Sequence, residues 1–299
     1  MNYKIFCILR TYNNFSNFLS IELIAKSQKQ GYFLSNFIQL RLFSQSYYED
    51  QTSYGLLVRI LHKLLSVILR IAEVVRFLPK RMLFLMEHLS EGFHWGYARL
   101  RSPLATSRLL SGIFYWWLEL SLLLIDCLGI SEWYEACCEF FKFNTRPLKD
   151  WEKELAQSIF GNTIVYSRIR LDDRACLGPL QYHVCYVSFY TINSWGPMNN
   201  SIFIHELVHV WQYQNFGITY IPRALRAGKS IQGYNYGGLE RLKEVMGRGG
   251  HLLDFNYEQQ ADIISDYYRI KSGYRPSWGE ASINDLAVYK YFVEFLQKR

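Results

Sequence analysis

Between residues 52 and 78, the polar positions Arg59, Lys63, Ser66, Arg70, Glu73 and Arg76 recur every three or four residues, and Lys80 continues the series. Leucine, isoleucine and valine fill most of the gaps. That period predicts an amphipathic helix with a wide apolar face and a narrow polar edge, stopped near Pro79, with a second helical run over Arg81–Leu89. The expectation is a helix packed among neighbours with its polar edge in water. The rival is a basic helix lying on a membrane surface. Leu109–Ile130 is an almost unbroken apolar run of 22 residues, long enough to cross a bilayer. Glu119 and Asp126 would each cost about 2.5–3.5 kcal/mol near the centre of an inserted helix. Seven residues apart, they share one helical face, so a buried or membrane-touching helix with one polar edge is expected. Glu132–Phe143 reads as a further helix. Asn144–Leu148 reads as a domain boundary, because Pro147 blocks helix continuation before the charged run Lys149–Lys153 starts a new one.

Beyond that boundary the period changes. Thr163–Arg170 and His183–Ile192 are rich in β-branched and aromatic residues and are bounded by Asp, Gly, Pro and Asn, which predicts strands. A turn over Asn193–Asn200 leads into Ser201–Gln214, SIFIHELVHVWQYQ, an apolar run predicted as a buried helix. A glycine-rich connection over Gly228–Gly250 surrounds a short helix near Leu239–Met246 and is expected to wall a cleft. Helices follow over Phe255–Lys271 and Leu286–Gln297. The whole is expected to be α+β, in three parts: a poorly defined arm over 1–50, a predominantly helical region over 51–145, and a compact domain over 146–299. No internal repeat is visible.

Composition narrows the function classes. Half the 299 residues are hydrophobic and 17% aromatic, which excludes a disordered chain. The net charge of +7 is uneven: residues 1–108 hold 14 Lys and Arg against 6 Asp and Glu, or +8, leaving −1 for the rest. A solvated basic face explains this without a nucleic-acid partner, and no nucleic-acid motif accompanies it. The six cysteines form no C-x-x-C pair, and Cys137 and Cys138 are adjacent, so a reducing compartment is expected. No small-residue cleavage site follows the short apolar run Ile5–Leu9. The expected location is therefore cytoplasmic, with export by a non-classical route and peripheral membrane contact through 52–80 or 109–130 left open.

The chemistry concentrates in His205-Glu206-Leu207-Val208-His209. Residues four apart on a helix share a face about 6 Å apart along the axis, so two imidazoles can grip one ion. Glu206, one step round, can reach a water on that ion without ligating it. A catalytic zinc site needs a third protein ligand. Glu258 is the candidate, on a strongly helical segment 49 residues past His209 (258 − 209). Asp262, four residues on, shares its face and can accept the N–H of one imidazole. Trp211, Tyr213 and Phe203 are expected to be core around the helix. His62, His88, His94 and His183 have no spacing that suggests a ligand set.

HExxH followed by a helix bearing E-x-x-x-D resembles the gluzincin branch of zinc metallopeptidases. HELVHVWQ with the later EQQAD resembles a bacterial family of zincin-like proteins, some of them associated with secretion or contractile-injection genes. The resemblance covers roughly residues 145–275. It implies a zincin-like domain with a small antiparallel sheet and two zinc-ligand helices. One Zn2+ would be held by His205, His209 and Glu258, with Glu206 as general base, Asp262 behind the ligands, and a peptide or protein as substrate. The family's transition-state donor, a Tyr or His, is not fixed by the motif; Tyr234, Tyr236, His251 and Tyr257 are the candidates. A zinc-stabilised accessory module of a secretion or injection apparatus is the non-enzymatic alternative.

Overall fold

A computed structural model describes residues 56–99, 106–141, 145–176, 179–182 and 184–298. The expected arm over 1–50 and His183 lie outside the described residues. Three helices come first: α1 (Leu56–Arg99), α2 (Thr106–Cys127) and α3 (Ile130–Phe141). After them come β1 (Thr145–Pro147), α4 (Asp150–Phe160), β2 (Arg170–Asp172), the single-turn α5 (Pro179–Tyr182), β3 (Tyr186–Ser188) and β4 (Thr191–Asn193). Five helices close the chain: α6 (Asn200–Phe216), α7 (Tyr220–Gly228), α8 (Gly238–Gly247), α9 (Tyr257–Lys271) and α10 (Leu286–Lys298). The α+β expectation holds. Thr52–Arg299 forms one compact unit.

Helix α1 does not stop at Pro79; it runs through it for 44 residues. Proline removes one intrahelical bond, but Pro79 faces solvent, where the freed carbonyl can bond water. Just beyond it, Arg81 is anchored to Asp126 (3.3 Å) and Glu132 (2.6 Å), so tertiary contacts hold the second half in line. The polar edge of α1 is only partly in water as expected: Arg76 and Lys80 are exposed. Arg70 and Arg81 are buried, whereas Ile68, Val75, Leu83 and Met86 are each about 60% exposed. Arg70 and Arg81 face inward because they meet acids on α2 and α3. Arg70 pairs with Glu135 (2.7 Å), and Arg168, from the turn before β2, joins Glu73 (3.1 Å) and Glu132 (3.4 Å). Buried charges require such partners. On α2, Glu119 pairs with Arg223 of α7 (2.7 Å) and Asp126 with Arg81, so both acids do lie on one polar edge.

The sheet is small and mixed rather than antiparallel. Its order is β1-β2-β4-β3; the outer pairings are antiparallel and the central β2–β4 pairing is parallel. The predicted strand over Thr163–Arg170 becomes a 3-10 turn at Tyr166–Arg168, with β2 starting at Arg170. Two local bonds bend it, Thr163 Oγ1 to the Phe160 carbonyl and Tyr166 Oη to the Gly161 carbonyl, and Arg168 is drawn into the ion cluster. The predicted strand over His183–Ile192 folds back as the β3–β4 hairpin. Phe189 makes the turn with a φ of 58°, unusual for a side chain of its size. Glu135 Oε1 accepts the next amide, Tyr190 N–H, at 3.0 Å.

The core lies where α6 crosses α9. Ile204, Leu207, Val208 and Trp211 of α6 are fully buried, as are Ala261, Ile263 and Ile264 of α9, and Tyr289, Phe292 and Leu296 of α10 back them. Trp211, Tyr213 and Phe203 are core, as expected. At the end of α6, Gly217 has a φ of 67°, and a β-carbon there would meet Phe84 at 2.8 Å. Only glycine lets α1 close on the end of α6 at this point.

Candidate metal centre

Helix α6 starts where Asn199 Oδ1 accepts the Ile202 amide (2.9 Å), ending the turn that follows β4. Five residues past the start of the helix stands His205, with His209 one turn on. Helix α9 starts at a capping box: Asn256 accepts the amides of Glu258 and Gln259, and Gln259 Oε1 accepts the Asn256 amide. That cap places Glu258 in the first turn of α9, against the α6 face that carries both histidines.

The three side chains converge. His205 Nε2 and His209 Nε2 each lie 3.3 Å from Glu258 Oε2. Four ligands at about 2.0–2.1 Å from a tetrahedral zinc stand about 3.3 Å from one another. The outer imidazole nitrogens are occupied elsewhere: His205 Nδ1 bonds Asp262 Oδ1 and His209 Nδ1 bonds Gln212 Oε1, both at 2.8 Å. With Nδ1–H donating outward, both Nε2 atoms are left to face Glu258. Glu258 Oε2 is itself buried without a hydrogen-bond partner. Two imidazole nitrogens and a carboxylate oxygen this close could hold a metal ion, and their chemistry and spacing are compatible with zinc.

The buried acids and imidazoles shift one another strongly. Burial opposes charge on His205, but Asp262 and Glu258 outweigh it and lift its pKa to about 10. His209 moves up for the same reason, with burial opposed by Glu258. Burial alone would raise Glu258, yet the two imidazoles pull it down to about 2. Glu206 moves upward through burial, only partly offset by the histidines, and its Oε2 has no hydrogen-bond partner.

Of the four candidate donors, Tyr234 alone is brought beside His205 and Glu258. Its ring centroid lies 6.0 Å from that of His205. It shares the space beside Gly228 with Glu258: a β-carbon there would lie 3.5 Å from the Tyr234 hydroxyl and 3.9 Å from Glu258 Oε1. Tyr236 instead donates to Asp266 (2.7 Å), Tyr257 packs on Phe216 beside Arg223, and His251 stacks on Phe295.

Three supporting residues escaped the sequence. Gln212, which holds His209, is fixed in turn by its amide bonds to the Tyr257 carbonyl (2.9 Å) and Gln260 (3.0 Å). Its position three residues after His209 was a usable signal. Trp278 Nε1 donates to Asp262 Oδ2 at 2.5 Å. Tyr220, on the unforeseen helix α7, lies 6.3 Å from His209 between ring centroids and donates to the Val187 carbonyl (2.7 Å). Nothing local in sequence announces either of these.

The chain is 32% identical over 152 residues to the type VI secretion system spike protein VgrG2b of Pseudomonas aeruginosa. The match takes in 46% of this chain but 14% of that protein. No protein-family model and no solved structure matches the chain.

Proposed function

We propose that this chain is a zinc-dependent metallopeptidase that serves a type VI secretion system. The carrying observation is the 3.3 Å spacing of two Nε2 atoms from one unpartnered carboxylate oxygen, with Glu206 beside them. The association with secretion rests on the similarity to the spike protein.

Zinc bound by His205, His209 and Glu258 would supply a Lewis acid that acidifies a water and polarises the scissile carbonyl. Glu206 takes the proton of the attacking water and passes it to the leaving amine, so one water and one amide become an acid and an amine. Its raised pKa suits a group that must both accept and return a proton. Tyr234 donates from its hydroxyl to the oxygen that gains charge during attack. Asp262 and Gln212 keep both imidazoles in the tautomer that presents Nε2.

Glu206→Gln is the test. The variant should retain metal at wild-type stoichiometry and lose peptide cleavage, whereas His209→Ala and Glu258→Ala should lose the metal itself. Cleavage at the wild-type rate by Glu206→Gln would sink the mechanism. A metal-loaded wild type that cleaves nothing across a broad peptide library would leave the accessory-module alternative.

A second property is favoured by one observation, the outward apolar face of α1 and α2. Besides the α1 residues above, Phe114, Trp117 and Leu124 of α2 are more than half exposed. No single described helix is long and apolar enough to cross a membrane; Ser111–Cys127 with Ile130–Cys138, bent by 68°, pass that test only together. This face suits contact with a lipid surface. Co-sedimentation with anionic vesicles, weakened by the double variant Val75→Glu and Met86→Glu, is the expected result; recovery of all wild-type protein in the supernatant would refute it.

A further inference from the structure

The capping box that opens α9 is made of two carboxamides, Asn256 and Gln259, where a hydroxyl and a carboxylate would cap the helix equally well. Their oxygens do the capping. Asn256 Oδ1 accepts the Glu258 and Gln259 amides at 3.0 and 2.9 Å, and Gln259 Oε1 accepts the Asn256 amide at 3.1 Å. A carboxamide also carries N–H donors, which a carboxylate lacks. Here those donors reach away from the helix, to the glycine-rich connection. Asn256 Nδ2 donates to the Gly233 carbonyl at 2.9 Å and Gln259 Nε2 to the Asn235 carbonyl at 2.6 Å. The two carbonyls stand on either side of Tyr234, and the two amides on either side of Glu258.

Tyr234 depends on such ties. It is 43% exposed, so packing alone does not fix it, and the glycines at 233 and 237, with φ of 50° and 88°, leave the backbone around it conformationally free. Past it, Tyr236 Oη donates to the fully buried Asp266 carboxylate at 2.7 Å, which anchors that end of the connection separately. We propose that Asn256 and Gln259 are positioning residues whose side-chain amides fix Tyr234 beside His205 and Glu258. One capping box then presents both the Glu258 carboxylate and the Tyr234 hydroxyl, and its choice of amides over a hydroxyl and an acid follows from that double duty. The catalytic consequence rests on the reading of Tyr234 as the donor to the substrate oxygen; a misplacement of about 1 Å at such a group costs on the order of 10²-fold in rate.

Asn256→Asp and Gln259→Glu separate the two duties, because each keeps the capping oxygen and removes the donor. In the zinc-loaded full-length protein both should retain zinc at wild-type stoichiometry. Backbone hydrogen exchange over residues 229–237, read by mass spectrometry, should quicken by about tenfold or more in each. On a peptide that the wild type cleaves, kcat should fall by about tenfold or more with KM nearly unchanged. Placed in a Tyr234→Phe background, the same substitutions should lower kcat by less than about twofold, whereas a new charge acting on the metal or on Glu206 would keep its full effect there. Either variant carries the test if the other does not fold. Exchange over 229–237 that stays at the wild-type rate overturns the proposal, and so does a kcat loss that persists in full without the Tyr234 hydroxyl. A wild type that cleaves no peptide would remove the peptidase reading instead, and exchange alone would then decide whether the two amides fix Tyr234.

Discussion

At the scale of single residues, the candidate metal site was legible because helix geometry relates its members in pairs. Four residues bring His205 to His209, and the same spacing brings Glu258 to Asp262. Only the meeting of the two helices had to be supplied by the fold. Trp278 was not legible, since it reaches Asp262 from a loop 16 residues away and no period connects them. It matters for the first prediction. Asp262 accepts from His205 Nδ1 with one oxygen and from Trp278 Nε1 with the other. Asparagine in its place has one acceptor where two donors arrive, so Asp262→Asn should weaken zinc binding by about 10–100-fold. Competition against a chromogenic chelator measures this; unchanged affinity would dismiss Asp262 as a support. Tyr234 makes a different claim. Tyr234→Phe should keep zinc and substrate binding and lower kcat by about 10²–10³-fold, the usual loss on removing one oxyanion donor. A variant that cleaves as fast as wild type would return the role to another group.

At the scale of elements, helix positions were read well from periodicity, and strands were not. α8, α9 and α10 lie within two residues of their predicted bounds, because a long period averages over local exceptions. The strands are three residues each, too short for alternation to register, and Phe189 and Arg168 bend them for tertiary reasons. The α1 stripe was read only in part for a related cause: Arg76 and Lys80 are wet as expected, but periodicity locates a stripe without saying that acids wait across from Arg70. Those acids give an element-scale prediction. Burial pushes Glu135 up to about 7, a shift that Arg70 and Arg168 only partly offset. Its folded pKa is therefore above the value of an unfolded glutamate, and the folded state holds the extra proton. Stability is then highest below about pH 4.5 and falls as pH rises toward 7, by an order of 1–3 kcal/mol. Glu135→Gln, which keeps an oxygen for the Tyr190 amide, should flatten this fall in Tm between pH 5 and 7.5. An equal slope in both proteins would show that another group holds the proton.

At the scale of the whole molecule, the ligands come from two helices far apart along the chain, with α7, the glycine-rich connection and α8 strung between them. Seen as polymer physics, an ion gripped by His209 and Glu258 is a cross-link closing a loop of 49 residues. By the loop-entropy estimate used for disulfides, a covalent closure of that length is worth about 4 kcal/mol against the unfolded chain. Unlike a disulfide, this link opens to a chelator and closes again on adding metal. The clamp is also selective in where it acts: α6 is buried all round, whereas Tyr234 on the connection is nearly half exposed. Loss of an ion held there would be felt first by the connection that carries Tyr234 and last by the core, so a metal at this site would act as a reversible fastener for that connection.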